Sequence, residues 1–167
     1  SCTAKGYTVT YAAGTGGSGS ITAGSPVFDS NFTPATPSSS TIKKANAEFA
    51  GWAVSGTSDV KAAGVAFKWT YTESKTFTAT WNCSAGYTLN SSTGACDPCA
   101  AGTYKASAGN GACTLASAGY FVSGTGKTSQ TACATGSYTS TTGQSSCTVC
   151  TNGKTTSGTA KTSCDAN

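Results

Sequence analysis

The sequence predicts a mostly β protein, in which a small β-sheet domain (residues 1–82) is followed by an extended, disulfide-stapled array of short hairpin modules (residues 83–167). Three observations support this prediction. Apolar and polar residues alternate in several segments of the first half, as they do in half-buried strands. Eight of the nine cysteines lie in the second half at nearly equal steps. That half also has few large apolar side chains, so disulfides, worth about 3 kcal/mol each for loops of this size, have to supply what its core lacks.

The first half is predicted to contain four strands. In the first strand, Tyr7, Val9 and Tyr11 lie on one face and threonines on the other. The only candidate for a helix is the short segment 42–48. The four predicted strands are residues 7–11, 48–54, 65–72 and 77–81.

Three motifs of the first half resemble those of a known family. Tyr7-Thr-Val-Thr-Tyr11 followed by glycines, Phe49-Ala-Gly-Trp52 and Phe77-Thr-Ala-Thr-Trp81 are similar to the motifs of the internalin-type B repeat, also called the Listeria–Bacteroides repeat. The resemblance covers residues 6–82 and implies a small, β-grasp-like module of a bacterial surface protein. The middle segment, residues 20–47, is longer than the repeat leads us to expect.

The cysteines of the second half favour one disulfide pairing. If the cysteine spacing is continued past Cys113, it predicts cysteines at positions 116 and 130, where the sequence has Ala116 and Gln130. Two positions that lack cysteine together indicate an ancestral bonded pair. Because eight cysteines can pair in many ways, including bonds within a CxxC motif or between modules, this pairing is a hypothesis. The four proposed bonds are Cys83–Cys96, Cys99–Cys113, Cys133–Cys147 and Cys150–Cys164.

The same steps define five modules of about 17 residues, an internal repeat whose members begin at positions 83, 99, 116, 133 and 150. Each of the first four opens with cysteine or alanine, then a glycine, then an aromatic residue, as in Cys83-Ser-Ala-Gly-Tyr87. We expect hairpins that touch only their neighbours, as in other repeat arrays. Module three lacks a disulfide, and we expect the apolar run Tyr120-Phe121-Val122 to hold it by packing.

These modules resemble the cysteine-rich repeats of ephrin-receptor and TNF-receptor-like ectodomains. The resemblance implies an extracellular role and no catalysis. Regular cysteine frameworks persist only in oxidising compartments, which also predicts a secreted protein of the cell surface.

The sequence lacks the residues that several kinds of function require. The chain has no histidine, so it has no Ser–His or Cys–His nucleophile pair, and we expect neither an enzyme nor a cofactor. A zinc site would require the two CxxC pairs to converge on one ion, whereas they lie far apart and have partners. All ten basic residues are lysines and the net charge is only +4, so no nucleic-acid partner is expected. No apolar run reaches transmembrane length.

Possible glycosylation sites occur in two patterns. Asn31, Asn82 and Asn90 lie in N-glycosylation sequons, although about two sequons are expected by chance in so Ser- and Thr-rich a chain. The segment 34–41 is mucin-like in composition. Its candidate residues, with one preceding threonine, are Thr33, Thr36, Ser38, Ser39, Ser40 and Thr41.

Cys2 is the ninth cysteine and has no partner in this scheme. A leftover cysteine in a secreted protein indicates an intermolecular bond or a free thiol. We predict a non-enzymatic structural protein, a subunit of a surface fibre or pilus-like filament that assembles head to tail as a homopolymer. Tyr7, Val9 and Tyr11 are a possible subunit-contact strand. The alternative is an adhesin or receptor-ectodomain module that recognises a protein or glycan through aromatics such as Tyr104, Tyr120 and Tyr138.

Overall fold

The computed structural model describes residues 4–165, and this part of the chain is all-β, without a helix. The predicted fold class is therefore confirmed. The chain divides into two compact units: one runs to Asn82 and includes Ser92–Ala95, and the other contains Cys83–Ser91 and the chain from Cys96 onward.

A four-stranded sheet forms the framework of the first unit, with the strand order β1-β8-β5-β6. Strand β1 runs parallel to β8, with Tyr11 opposite Phe77, and β5 pairs with β6 in the antiparallel sense. Two short antiparallel pairs, β2 with β4 and β3 with β7, complete the unit. The strands of this unit are β1 (Val9–Ala12), β2 (Ser18–Gly19), β3 (Asn31–Phe32), β4 (Ile42–Lys43), β5 (Ala47–Val54), β6 (Val60–Lys61), β7 (Phe67–Lys68) and β8 (Lys75–Cys83).

Aromatic side chains fill the core of the first unit. Trp52, Trp69 and Phe77 are fully buried, and burial of such a side chain contributes roughly 1.5–3 kcal/mol before entropy is counted. The indole N–H of Trp52 donates to the carbonyl oxygen of Ala35 at 2.9 Å. The indole nitrogen of Trp69 is buried and has no hydrogen-bond partner among the described residues.

Two of the predicted elements differ in the structure. The helix candidate at 42–48 is wrong: Ile42–Lys43 is strand β4, paired with β2, and Asn46 has a φ of 55°, which a right-handed helix excludes. The strand predicted at 65–72 is reduced to β7, because the chain around β7 bonds instead to the loop before β3, through the N–H of Trp69 to Ser30 at 2.8 Å. Val65 consequently remains 59% exposed.

Short antiparallel hairpins build the second unit. In each of the first four modules, the strand that follows the first glycine pairs with a strand near the closing cysteine, or near Gln130 in module three. The strands are β9 (Tyr87–Leu89), β10 (Cys96–Pro98), β11 (Thr103–Tyr104), β12 (Thr114–Leu115), β13 (Tyr120–Phe121), β14 (Thr131–Ala132), β15 (Ser137–Tyr138) and β16 (Thr148–Val149). The disulfides are Cys83–Cys96, Cys99–Cys113, Cys133–Cys147 and Cys150–Cys164.

Candidate functional site

Backbone hydrogen bonds connect successive modules in a repeating pattern. The opening glycine of a module is the third residue after the residue that opens it. Its N–H donates to a residue of the next module, and its carbonyl oxygen accepts from the N–H of the residue that opens that next module. In the third type of bond, the N–H of the tenth residue after a module's opening residue donates to the carbonyl oxygen of the residue that opens the preceding module. The first type of bond joins Gly86 to Lys105, Gly102 to Val122 and Gly119 to Thr139, at 2.8–2.9 Å. The third joins Gly109 to Cys83, Gly126 to Cys99, Gly143 to Ala116 and Ala160 to Cys133.

Modules also touch the module after next. The opening glycines have φ between 73° and 86°, a conformation in which L side chains are strained. A methyl group on Gly102 would overlap the carbonyl oxygen of Gly143, and one on Gly119 would overlap that of Ala160. Each of these contacts spans two module steps. The prediction that a module touches only its neighbours is therefore wrong.

A column of buried residues runs through modules two to five, at the sixth position after each opening residue. Val122 is 2% exposed, Thr139 3% and Thr156 1%. The hydroxyl of Thr139 accepts from the N–H of Gly119 at 2.7 Å, so its burial is compensated. In module two the column holds Lys105, whose ammonium donates to the carbonyl oxygen of Tyr87 at 2.8 Å and also to that of Gly109.

Module three replaces its disulfide with an amide. Ala116 is fully buried where other modules have cysteine. The Oε1 atom of Gln130 accepts a hydrogen bond of 2.7 Å from the N–H of Ser117. Val122 is buried and Tyr120 and Phe121 are half-buried, so packing accompanies this bond. The glutamine was not predicted to form it, because its only signal in the sequence is its place in the cysteine step.

Module five has backbone groups that earlier modules use for contacts with the module that follows. Among residues 4–165, the N–H groups of Gly153 and Thr156 and the carbonyl of Cys150 form no backbone hydrogen bond. A hollow of about 340 Å³ lies where modules four and five meet, lined by Tyr138 and Val149 of module four and Cys150 of module five among others. Val149 is 69% exposed. The array therefore presents both apolar surface and backbone donors here.

The first unit has a groove of about 280 Å³ beside β4 and β5, lined by Ser38, Ser39, Lys43, Lys44, Phe49 and Trp81 among others. We call it the β4–β5 groove. The rings of Phe49 and Trp81 meet edge to face, with centroids 5.8 Å apart. Lys43 and Lys44 make no ion pair within the described residues, whereas Lys61, Lys68 and Lys75 each pair with a carboxylate.

A cluster of charged residues lies elsewhere in the first unit. The Tyr71 hydroxyl donates a short hydrogen bond to the carboxylate of Asp59, and this bond, with Lys61 nearby, lowers the pKa of Asp59. Burial, followed by the bond to Asp59, raises the pKa of Tyr71. Lys75 donates to Glu73 at 2.6 Å and lowers the pKa of that carboxyl. Every carboxylate of the cluster has a cationic or hydroxyl partner, which is the ordinary role of a structural ion pair.

The proposed glycosylation residues have different surroundings. Asn31 and Asn82 are exposed, whereas the side-chain amide of Asn90 donates to Asp97 at 2.8 Å. In the mucin-like loop, the hydroxyls of Ser38, Ser40 and Thr41 bond to one another. The hydroxyls of Thr33, Thr36 and Ser39 have no hydrogen bond within the described residues, and all three residues are exposed.

The proposed subunit-contact strand lies inside its own fold. Val9 is fully buried and Tyr11 is 8% exposed. One edge of the strand pairs with β8, and on the other edge Val9 bonds with Gly24. Cys2 lies outside the described residues. The aromatics Tyr104, Tyr120 and Tyr138 are half-buried in their hairpins.

No group of three or more His, Cys, Asp or Glu residues that could hold a metal ion occurs in residues 4–165. That part of the chain also contains no helix with the length and apolar character needed to cross a membrane.

Comparison with known proteins gives one match. Residues 86–133 match the family model described as tyrosine-protein kinase ephrin type A/B receptor-like. The matched region covers most of module one, modules two and three, and the cysteine that opens module four, and with the disulfides of this part of the chain it suggests an extracellular, receptor-like region. No curated protein and no solved structure matches the chain. The resemblance of residues 6–82 to the internalin-type B repeat has no support from these comparisons and remains a prediction.

Proposed function

We propose that this protein is a non-enzymatic structural protein of the cell surface, whose copies join head to tail in a fibre. The observation that carries the proposal is the hollow at modules four and five, where Val149 is 69% exposed. Exposed apolar surface of this kind marks interaction sites, and a second copy that packs an apolar side chain into the hollow buries Val149.

Such a contact joins two different surfaces, so it does not close into a dimer and extends as an open filament. Cys2 contributes an intermolecular disulfide in this proposal, and glycans cover exposed residues such as Asn31, Asn82 and Thr36. A B-repeat-like first unit agrees with a surface location. Exposed Val149 in the hollow is the apolar anchor of the joint.

The proposal is tested by sedimentation and negative-stain microscopy of the purified chain over a wide concentration range. We expect filaments whose threshold concentration rises at least tenfold for Val149→Glu. Val65→Glu is the matched control, because Val65 is comparably exposed, at 59%, but lies in the first unit. Monodisperse particles at high concentration, or equal effects of the two substitutions, would contradict the proposal. Non-reducing electrophoresis of Cys2→Ser tests the covalent bond separately.

A receptor-like binding module is the second candidate, and the family match over residues 86–133 favours it. Half-buried Tyr104 and Tyr138 provide ring edges for a protein or glycan partner. A binding module stays monomeric without its ligand, so the same sedimentation experiment separates the two candidates.

A further inference from the structure

We infer that the β4–β5 groove binds a sugar residue that carries a carboxylate or a sulfate. This inference concerns the first unit and is independent of filament assembly, so it stands or falls separately from the proposed function.

The charge of the groove comes from two adjacent lysines. Lys43 and Lys44 make neither an ion pair nor a contact with an aromatic ring in the part of the chain that the structure describes. Every other lysine of the unit has one or both. Both lysines line the groove, so an anion bound there is attracted by two positive charges. Hydrogen bonds from an ammonium to an anionic oxygen are also stronger than those between neutral groups.

The walls of the groove indicate the rest of the ligand. Phe49 and Trp81 form an apolar wall, and the indole N–H of Trp81 is turned away, donating to Ala13 at 2.8 Å. Ser38 and Ser39 also line the groove and add polar groups to it. An apolar wall, a few polar groups and a charged pair are the usual composition of a small-ligand site.

The size of the groove favours a sugar over a peptide. Its volume of about 280 Å³ lies just below the range of about 300–1,000 Å³ that is usual for ligand sites, which suits one sugar ring. An acidic peptide would require a longer groove or an open strand edge. Strand β5 lies between β8 and β6 in the sheet, so neither of its edges is open, and β4 is only two residues long.

The test uses the full chain without glycans, verified by its mass of 16.4 kDa. Glucuronate, glucose 6-sulfate and glucose are titrated while NMR signals of the groove are followed. We expect saturable shifts at Lys43, Lys44 and Trp81 with both acidic sugars and at least tenfold weaker binding of glucose. Binding of only one of the two acidic sugars also supports the inference, because it identifies whether the site takes a carboxylate or a sulfate.

Substitution of the lysines tests the assignment. Lys43→Gln with Lys44→Gln is expected to weaken acidic-sugar binding at least tenfold. The control, Lys5→Gln with Lys68→Gln, removes the same charge elsewhere on the unit and is expected to leave the affinity within twofold. Equal binding of glucose, equal loss in both double variants, or tighter binding of a Glu-rich peptide than of either sugar would overturn the inference. Unchanged circular dichroism shows that each variant is folded.

Discussion

The side chain of Gln130 bonds to the backbone of Ser117, 2.7 Å from Oε1 to N, at the place where other modules close with a disulfide. The chain thus uses two means to close modules of one type. A neutral hydrogen bond contributes about 1 kcal/mol, and a disulfide over such a loop about 3 kcal/mol.

Restoring the missing cysteines is therefore expected to stabilise the array. The double variant Ala116→Cys, Gln130→Cys should form a fifth disulfide and raise the free energy of unfolding by about 2 kcal/mol, the difference between the two closures. Urea denaturation and thiol counting measure it. Each single variant is the control and should be no more stable than the wild type. An unbonded pair of thiols in the double variant would contradict the expected geometry.

Ala160 occupies a position where other modules have glycine. Its φ is 56°, and Gly126 and Gly143, the corresponding residues of modules three and four, have φ of 68° and 74°. A left-handed conformation costs a residue with a side chain roughly 1–2 kcal/mol. Ala160→Gly should therefore stabilise the protein by about 1 kcal/mol, measured by urea denaturation. Ala106→Gly, at an exposed position without a positive φ, should instead be neutral or destabilising.

Gly119 is expected to tolerate no side chain. Its φ is 86°, and a methyl group would overlap the carbonyl oxygen of Ala160. Gly119→Ala should cost about 3 kcal/mol or prevent folding, because strain and overlap add. Gly111→Ala is the matched control, since no atom lies within 4 Å of the added carbon. Similar stabilities of the two variants would show that the module contacts are not close.

The two fully buried tryptophans differ in their polar partners. Trp52 donates to Ala35, whereas Trp69 has no acceptor within the described residues. Trp52→Phe should therefore destabilise the first unit by about 1 kcal/mol more than Trp69→Phe, since only the former breaks a hydrogen bond. Thermal denaturation of both variants measures the difference. The reverse order would contradict the assignment of these partners.

Stability is expected to fall at both ends of the pH range. The pKa of Asp59 is lowered in the folded state by Tyr71, so its contribution is present above the ordinary carboxyl pKa of about 4 and is lost as the pH falls through the folded value. The pKa of Tyr71 is raised, so its contribution is lost as the pH rises above about 10. Tyr71→Phe should flatten both slopes in urea denaturation. Unchanged slopes would contradict the role of this hydrogen bond.

Sequence patterns predicted the features that depend on local chemistry. The alternation of Tyr7, Val9 and Tyr11 predicted a strand with a buried face, and Val9 and Tyr11 are buried. Between residues 65 and 72, the alternation of apolar and polar residues predicted a longer strand than the structure has, because Trp69 bonds to the loop before β3 rather than to a long strand. The turn at Asn46 excludes the helix. Its only signal in the sequence is the asparagine itself, a residue type that adopts a positive φ more often than most.

The candidate sites were predicted less well than the fold. The Lys43-Lys44 pair is visible in the sequence, but its position beside Phe49 and Trp81 depends on the pairing of β4 with β2. The spacing of the cysteines reveals modules but cannot show that Gly102 contacts Gly143, because that contact is set by how the hairpins stack.

The contacts between alternate modules set a minimum length for the array. One or two modules contain none of these contacts, and three contain only the first of them, between Gly86 and Gly126. Each added module then brings a contact with its neighbour and another with the module before that. Opening module three consequently removes contacts with modules one and five, and opening module two or four removes the contact between those two. We therefore expect the array to unfold cooperatively, as one unit, rather than to lose its modules one at a time from an end.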